Sequence, residues 1–204
     1  MANSDVVHVI DDDDDVRQSL AFLLSTAGIA VRVHESAIAF LQALPTIEGG
    51  CIVTDVRMPG MDGIALQRRL KADKNGIPVI VMTGHGDIAL AVEAMKAGAV
   101  DFIEKPFDDD VLIGAIKTAL GRGRESSQRR SAVSAVRDRL KLLSERERQV
   151  LEGLVAGKPN KVIAHDLGIS PRTVEIYRAN VMTKMQADSL SALVRMTLQD
   201  GDGG

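Results

Sequence analysis

Five short β-rich runs, Val6–Ile10, Ile29–Val33, Cys51–Asp55, Val79–Thr83 and Val100–Lys105, alternate with longer stretches of helical period, and this rhythm constrains the fold more than any other feature of the chain. The runs are nearly continuous in apolar residues instead of alternating, as strands buried on both faces are. Between them, Val16, Leu20, Leu23, Leu24 and Ala27 fall on one helical face, as do Val111, Leu112, Ala115, Ile116 and Ala119. The expectation is an α/β unit, a five-stranded doubly wound parallel (βα)5 sheet. Open sheets of this kind bind ligands beyond the carboxyl ends of their strands, so the residues that end the five runs are the ones to inspect.

A chain of 204 residues has room for two separate cores. Its charge divides accordingly: residues 1–120 hold 10 basic and 18 acidic side chains and the remainder 15 and 10, giving −8 and +5 within the overall −3. The first part suits cations and the second a polyanion. A single cysteine, Cys51, excludes an intramolecular disulfide and reads as a small apolar core residue. No apolar run approaches the roughly 20 residues needed to span a bilayer. The opening lacks a basic stretch followed by an apolar one, so no secretion signal is read, and a cytoplasmic protein without membrane contact is expected.

The run ends are chemically loaded. Asp11 and Asp12 close the first, Asp55 the third, Thr83 the fourth, and Lys105 followed by Pro106 the fifth. Clustered carboxylates repel one another, and a hard, oxygen-seeking cation such as Mg²⁺ or Mn²⁺ relieves this while leaving positions open for water and phosphate oxygens. Asp55 is then placed as a nucleophile toward phosphorus, giving an acyl phosphate. Lys105 would neutralise the equatorial oxygens, and Thr83 would hydrogen-bond the new phosphoryl group. Asp13–Asp15 read as a solvated helix start, and Met58-Pro59-Gly60 and Asp62-Gly63 as turn chemistry. Lys105-Pro106 reads as a cis bond aiming the lysine inward. His8, His34, His85 and His165 do not fall at metal-ligand spacing and none is read as a ligand, His8 being placed in a strand.

Asp11-Asp12, Thr54-Asp55-Val56-Arg57-Met58-Pro59-Gly60-Met61-Asp62-Gly63, Thr83-Gly84 and Lys105-Pro106-Phe107 resemble the receiver domain of two-component systems over about residues 5–120. The resemblance implies Asp55 as phosphoacceptor, with the metal held by Asp12, Asp55 and the backbone carbonyl of Arg57, and Asp11 acting through water. The run of five aspartates leaves that metal assignment open by one residue. The resemblance also implies that Phe102 is an aromatic switch coupled to Thr83. Arg57 and His85, two positions beyond Asp55 and Thr83, are where receiver side chains screen the acyl phosphate, so slow self-dephosphorylation is expected.

From Gly121 to about Ala135 the rhythm gives way to Gly-Arg-Gly-Arg and to paired serines and arginines, the composition of a linker, although Ser131–Leu143 has good helix formers. The expected division is a receiver over 1–121, a partly helical linker over 122–139 and a small all-α unit over 140–204. That unit opens with Ser144-Glu145-Arg146-Glu147, a capping box. A second helix should start at Asn160 and stop at Gly168, and Ser170 should cap a third with Pro171 first: a helix-turn-helix. Leu143-Ser144-Glu145-Arg146-Glu147, Asn160-Lys161-Val162-Ile163-Ala164, Ile169-Ser170 and Arg172-Thr173-Val174-Glu175 resemble the LuxR-type DNA-binding domain.

On the third helix Val174, Tyr177 and Val181 should face inward, which turns Arg172, Glu175, Ile176, Ala179 and Thr183 outward. Lys161, Arg172, Thr173, Arg178, Asn180 and Lys184 are candidates for phosphate contacts, with base choice resting on Glu175, Ile176 and Ala179. Tyr177 and Ala179 depart from the residues usual in this family, histidine and basic side chains respectively.

Both halves together resemble the NarL/FixJ class of response regulators, and Thr83–Asp87, Ala91–Phe102 and Ile103–Phe107 are worded like its regulators of nitrogen-fixation genes. The resemblance implies a non-enzymatic transcription activator with a sensor histidine kinase as donor, oxygen-sensing in the usual case. It implies a homodimer formed on phosphorylation through helix 87–97, strand 100–105 and helix 108–120, binding double-stranded promoter DNA and meeting RNA polymerase. A Mg²⁺-dependent aspartyl phosphatase would use the same nucleophile, but it needs an acid two residues beyond Asp55, where Arg57 stands. A phosphate-accepting adaptor without DNA binding is the remaining alternative.

Overall fold

The computed structural model describes residues 5–84 and 88–201, the last three by backbone alone. Two compact units make up the chain, dividing between Gln128 and Arg129. In the first, β1 (Val6–Ile10), β2 (Ala30–His34), β3 (Cys51–Asp55), β4 (Val79–Thr83) and β5 (Asp101–Glu104) form one parallel sheet in the order β2-β1-β3-β4-β5. Helices α1 (Asp14–Thr26), α2 (Ala37–Ala43), α3 (Gly63–Ala72), α4 (Ile88–Ala97) and α5 (Asp109–Lys141) connect and follow the strands. The strands match the five expected runs to within two residues at either end.

The inner strands β1, β3 and β4 are buried along nearly their whole length, which explains why their runs do not alternate, while the edge strands β2 and β5 are more exposed. One layer of the core gathers Ile10, Phe40, Ile52, Leu66 and Val81, and the other Val7, Val9, Leu24, Val53 and Leu112. Asp13 starts α1 by accepting the backbone N–H groups of Asp15 and Val16, the helix-start role expected of the aspartate run. Cys51 is fully buried, and burial pushes its thiol up to about 12, so it is an inert core residue.

The expected linker is helical throughout, because α5 continues to Lys141. Gly123, read as part of a linker composition, has a packing reason: a Cβ there would lie 2.6 Å from the carbonyl oxygen of Gly50. Only a glycine lets the helix approach that loop.

The second unit contains α6 (Glu145–Val155), α7 (Asn160–Leu167), α8 (Pro171–Met185) and α9 (Leu190–Gly201) around Val150, Leu154, Ile163, Val174, Val181 and Leu193. The capping box of Ser144 and Glu147 is present in both directions. Gly168 ends α7 at φ 64°, and Ser170 caps α8 with Pro171 first, as expected of the helix-turn-helix.

Candidate functional site

Four of the run-end residues meet at the carboxyl edge of the sheet. Strand β3 delivers Asp55, β1 delivers Asp11, and the chain leaving β5 returns Lys105, whose backbone N–H donates to the carbonyl of Thr83 at 2.7 Å. Lys105 Nζ donates to Asp55 Oδ1 at 2.6 Å and to Asp11 Oδ2 at 3.0 Å. Burial opposes the ammonium, but hydrogen bonds and charge from Asp55 and Asp11 outweigh it and hold the lysine's pKa above its ordinary value. The Lys105–Pro106 bond is cis.

The second oxygen of Asp55, Oδ2, accepts the backbone N–H of Arg57 at 2.7 Å. Behind it, a Cβ at Gly63 would stand 2.4 Å from the Asp55 carbonyl oxygen, so this turn closes only with glycine, while Asp62 caps α3 through the N–H of Ala65. Asp11 is fixed from both sides: its Oδ1 accepts the N–H of Asp13, and Arg17 donates to its carbonyl at 2.7 Å. Thr83 is 1% exposed, and among the described residues its hydroxyl has no hydrogen-bond partner. A buried hydroxyl without a partner costs free energy, and this one lies at the strand ends that also carry Asp55 and Lys105.

Asp12 is exposed, and it lines a cavity of about 610 Å³ together with Arg57 and Asp62. Among the described residues no three acidic, histidine or cysteine side chains group as a metal cluster, and the carboxylate pair Asp11–Asp55 is bridged by Lys105. The expected convergence of three carboxylates is therefore a convergence of two with a lysine between them. The set of Asp12, Asp55 and the Arg57 carbonyl still fits Mg²⁺ in kind, since that ion takes one or two carboxylates and keeps several waters. Phe102 is partly exposed on β5 beside Val81 and belongs to neither layer of the core. His85 lies outside the described residues.

Two of the histidines do meet. His8 Nδ1 and His34 Nε2 are 3.1 Å apart, and both rings stand edge-on to Phe40. Desolvation, then the charges of His34 and Arg32, lower the pKa of His8 to about 4. Burial, then Arg32, lowers that of His34.

In the second unit, Val174 and Val181 of α8 are fully buried and Tyr177 packs against the same core, as expected. Arg172, Glu175, Ile176, Ala179, Asn180 and Thr183 are exposed, as is Lys161 on α7, while Arg178 is half-buried. Ile176 shows 57% of its surface on the outward face of α8. Thr173 is drawn into the cap, its hydroxyl 2.8 Å from that of Ser170. Lys184, a candidate for a phosphate contact, is engaged within the unit: its ammonium donates to Glu147 at 2.7 Å and to the carbonyl of Leu142 at 3.2 Å. The buried carboxylate competes for the long side chain and wins it.

Residues 7–117 match the model of the response regulator receiver domain, and residues 141–197 match that of bacterial regulatory proteins of the luxR family. The chain belongs to the response-regulator family. This response regulator is 61% identical to the transcriptional regulatory protein FixJ of Azorhizobium caulinodans, over 98% of this chain and 95% of that one. It is 57% identical to FixJ of Rhizobium meliloti over 97% of each. Among solved structures, full-length FixJ from B. japonicum is similar at 52% identity and a TM-score of 0.59 over 100% of both chains. The response regulator StyR is similar at 42% identity and a TM-score of 0.82, over 95% of this chain and 98% of that one. The regulator is a two-component transcriptional regulator with a receiver and a LuxR-type DNA-binding domain. Among the described residues, no helix is long and apolar enough to cross a membrane.

Sequence reasoning missed the positioning partners in this response regulator. Arg17 could have been found as a cation six residues beyond Asp11, but Glu147–Lys184 and His8–His34 depend on elements distant in sequence.

Proposed function

We propose that Asp55 is the phosphoacceptor of this regulator, taking a phosphoryl group from a phosphohistidine of a sensor kinase. The observation that carries this reading is the Lys105 ammonium held between Asp55 and Asp11 at the strand ends, with the buried hydroxyl of Thr83, unpartnered among the described residues, on the neighbouring strand. A carboxylate oxygen of Asp55 bonds to phosphorus, the bond from phosphorus to the imidazole nitrogen breaks, and the nitrogen leaves with its electron pair. Lys105 is placed to neutralise oxygen charge as the transfer proceeds, and the hydroxyl of Thr83 to donate to the transferred group. Asp12, Asp55 and the carbonyl of Arg57 would hold Mg²⁺ or Mn²⁺, which when bound supplies further charge neutralisation. Asp11 would act through water.

The chemical event has a face on which to act. Ile88, Val92 and Met95, spaced along one side of α4, are 78%, 47% and 49% exposed, and Val111 on α5 is 58% exposed. Covering these apolar side chains favours a homodimer through α4, β5 and the first turns of α5. Phe102 is the switch residue in this reading. Lys161, Arg172, Thr173, Arg178 and Asn180 then contact phosphates of promoter DNA, and Glu175, Ile176 and Ala179 face the bases. Likeness to FixJ supports activation of nitrogen-fixation genes in concert with RNA polymerase, in the cytoplasm. The test is Asp55→Asn: acetyl phosphate should add a phosphoryl mass and shift the wild type toward dimer, and do neither to the variant. Dimerisation of Asp55→Asn under the phosphodonor refutes the assignment.

A further inference from the structure

The match to the luxR family begins at residue 141, yet the core of the second unit begins earlier. Val136, on the last turns of α5, is 6% exposed and belongs to the same cluster as Val174, Val181 and Met185 of α8, with Leu140 packed against it. Three contacts from cationic side chains to backbone carbonyls surround this packing. Arg139 Nη1 donates to the carbonyl of Met185, the last residue of α8, at 3.4 Å. Arg148 on α6 donates to the carbonyl of Leu140 at 3.3 Å, and Lys184 on α8 to that of Leu142 at 3.2 Å.

A helix exposes unsatisfied carbonyls and a partial negative charge at its carboxyl end, and a guanidinium there answers both. In α8 the αL residue Gln186 closes the helix, and its N–H bonds back to Met182 and Thr183. The Met185 carbonyl is left for Arg139. At 3.4 Å the contact is a weak hydrogen bond, so Val136 and Leu140 supply most of the holding force and Arg139 supplies direction.

We propose that Arg139 is a positioning residue for DNA recognition, with Val136 and Leu140 beneath it. They seat the carboxyl end of α8 from a segment that lies outside the matched DNA-binding domain. This rests on the DNA-binding reading and adds to it. Arg139 itself meets no phosphate; it fixes the angle at which Glu175, Ile176 and Ala179 are presented.

The full chain, phosphorylated with acetyl phosphate, is used to enrich duplexes from a random-sequence pool, and the enriched duplex serves as probe. Arg139→Ala should weaken binding about three- to tenfold, the scale of one ordinary hydrogen bond, as suits a charged contact stretched to 3.4 Å. The slope of log K against log salt should be unchanged, because no counterion-releasing contact is lost. Arg139→Lys, which keeps a cation near the helix end, should recover most of the loss, and the helical signal and melting of the second unit should match the wild type in both variants. Unchanged affinity in Arg139→Ala overturns the proposal, and so does a drop of about one in the salt slope, which would make Arg139 a direct phosphate contact. If the wild type enriches no duplex, the DNA-binding reading fails first and takes this one with it.

Discussion

Lys105 and Asp55, fifty residues apart in sequence, are held at 2.6 Å across the carboxyl edge of the sheet, and the same ammonium reaches Asp11 at 3.0 Å. One cation thus offsets two carboxylates in the resting protein. Replacing it by an apolar side chain of similar length, Lys105→Met, leaves that pair uncompensated and removes the donor aimed at the incoming phosphoryl group. Phosphorylation by acetyl phosphate, followed by intact-mass spectrometry, should slow on the order of a hundredfold. A rate within threefold of wild type would show that Lys105 is structural only.

The hydroxyl of Thr83 makes the opposite kind of prediction, because among the described residues it has no partner and so carries a cost in the resting state. Thr83→Val keeps the shape and removes the unpartnered polar atom, so urea unfolding should show a gain of about 1 kcal/mol in the unphosphorylated protein. The same variant should accept phosphate yet dimerise less. Lower resting stability would mean that the hydroxyl has a partner after all.

Two neighbouring glycines in α5 separate packing from flexibility. A Cβ at Gly123 would press within 2.6 Å of the Gly50 carbonyl oxygen, whereas one at Gly121 meets nothing within 4 Å. Gly123→Ala should therefore destabilise the first unit by about 1–3 kcal/mol, while Gly121→Ala should raise stability by roughly 0.5–1 kcal/mol through helix propensity. Thermal unfolding of both variants checks the contrast, and equal effects would contradict the close approach.

The paired imidazoles give the fold a pH dependence of defined sign. His8 titrates near 4 in the folded chain against an ordinary 6.5, and His34 is lowered as well. Between those values the unfolded chain binds protons that the folded one refuses, so stability falls as pH drops from about 6.5 to about 4. Urea midpoints at pH 7 and pH 4.5 should differ by more in the wild type than in His8→Leu. An identical pH dependence in the two would remove the pair from the account.

The sheet and its loaded strand ends were legible because a buried parallel strand leaves an unbroken apolar run and its ligand residues fall at the run's end. Asp55, Thr83 and Lys105 could be placed from that alone. The meeting of His8 with His34 could not, since it requires the register that sets His8 beside Arg32 and Ile10 beside His34. Nor could the course of α5: Gly121 and Gly123 carry the local signal of a linker, and only the backbone they approach reveals otherwise. Lys184 stood as a candidate for a phosphate contact, and its pairing with the buried carboxylate of Glu147, on a helix 37 residues away in sequence, had no local signal.

The contact between His8 and His34 joins Nδ1 of one ring to Nε2 of the other, and a single hydrogen lies between them. If His8 donates it, both rings are protonated on Nδ1; if His34 donates it, both are protonated on Nε2. Neutral, the two side chains are thus bound to share one tautomer. The outer nitrogen of His8 accordingly changes from acceptor to donor whenever that of His34 changes from donor to acceptor, a two-state register written into the interior of the sheet and readable in nitrogen chemical shifts.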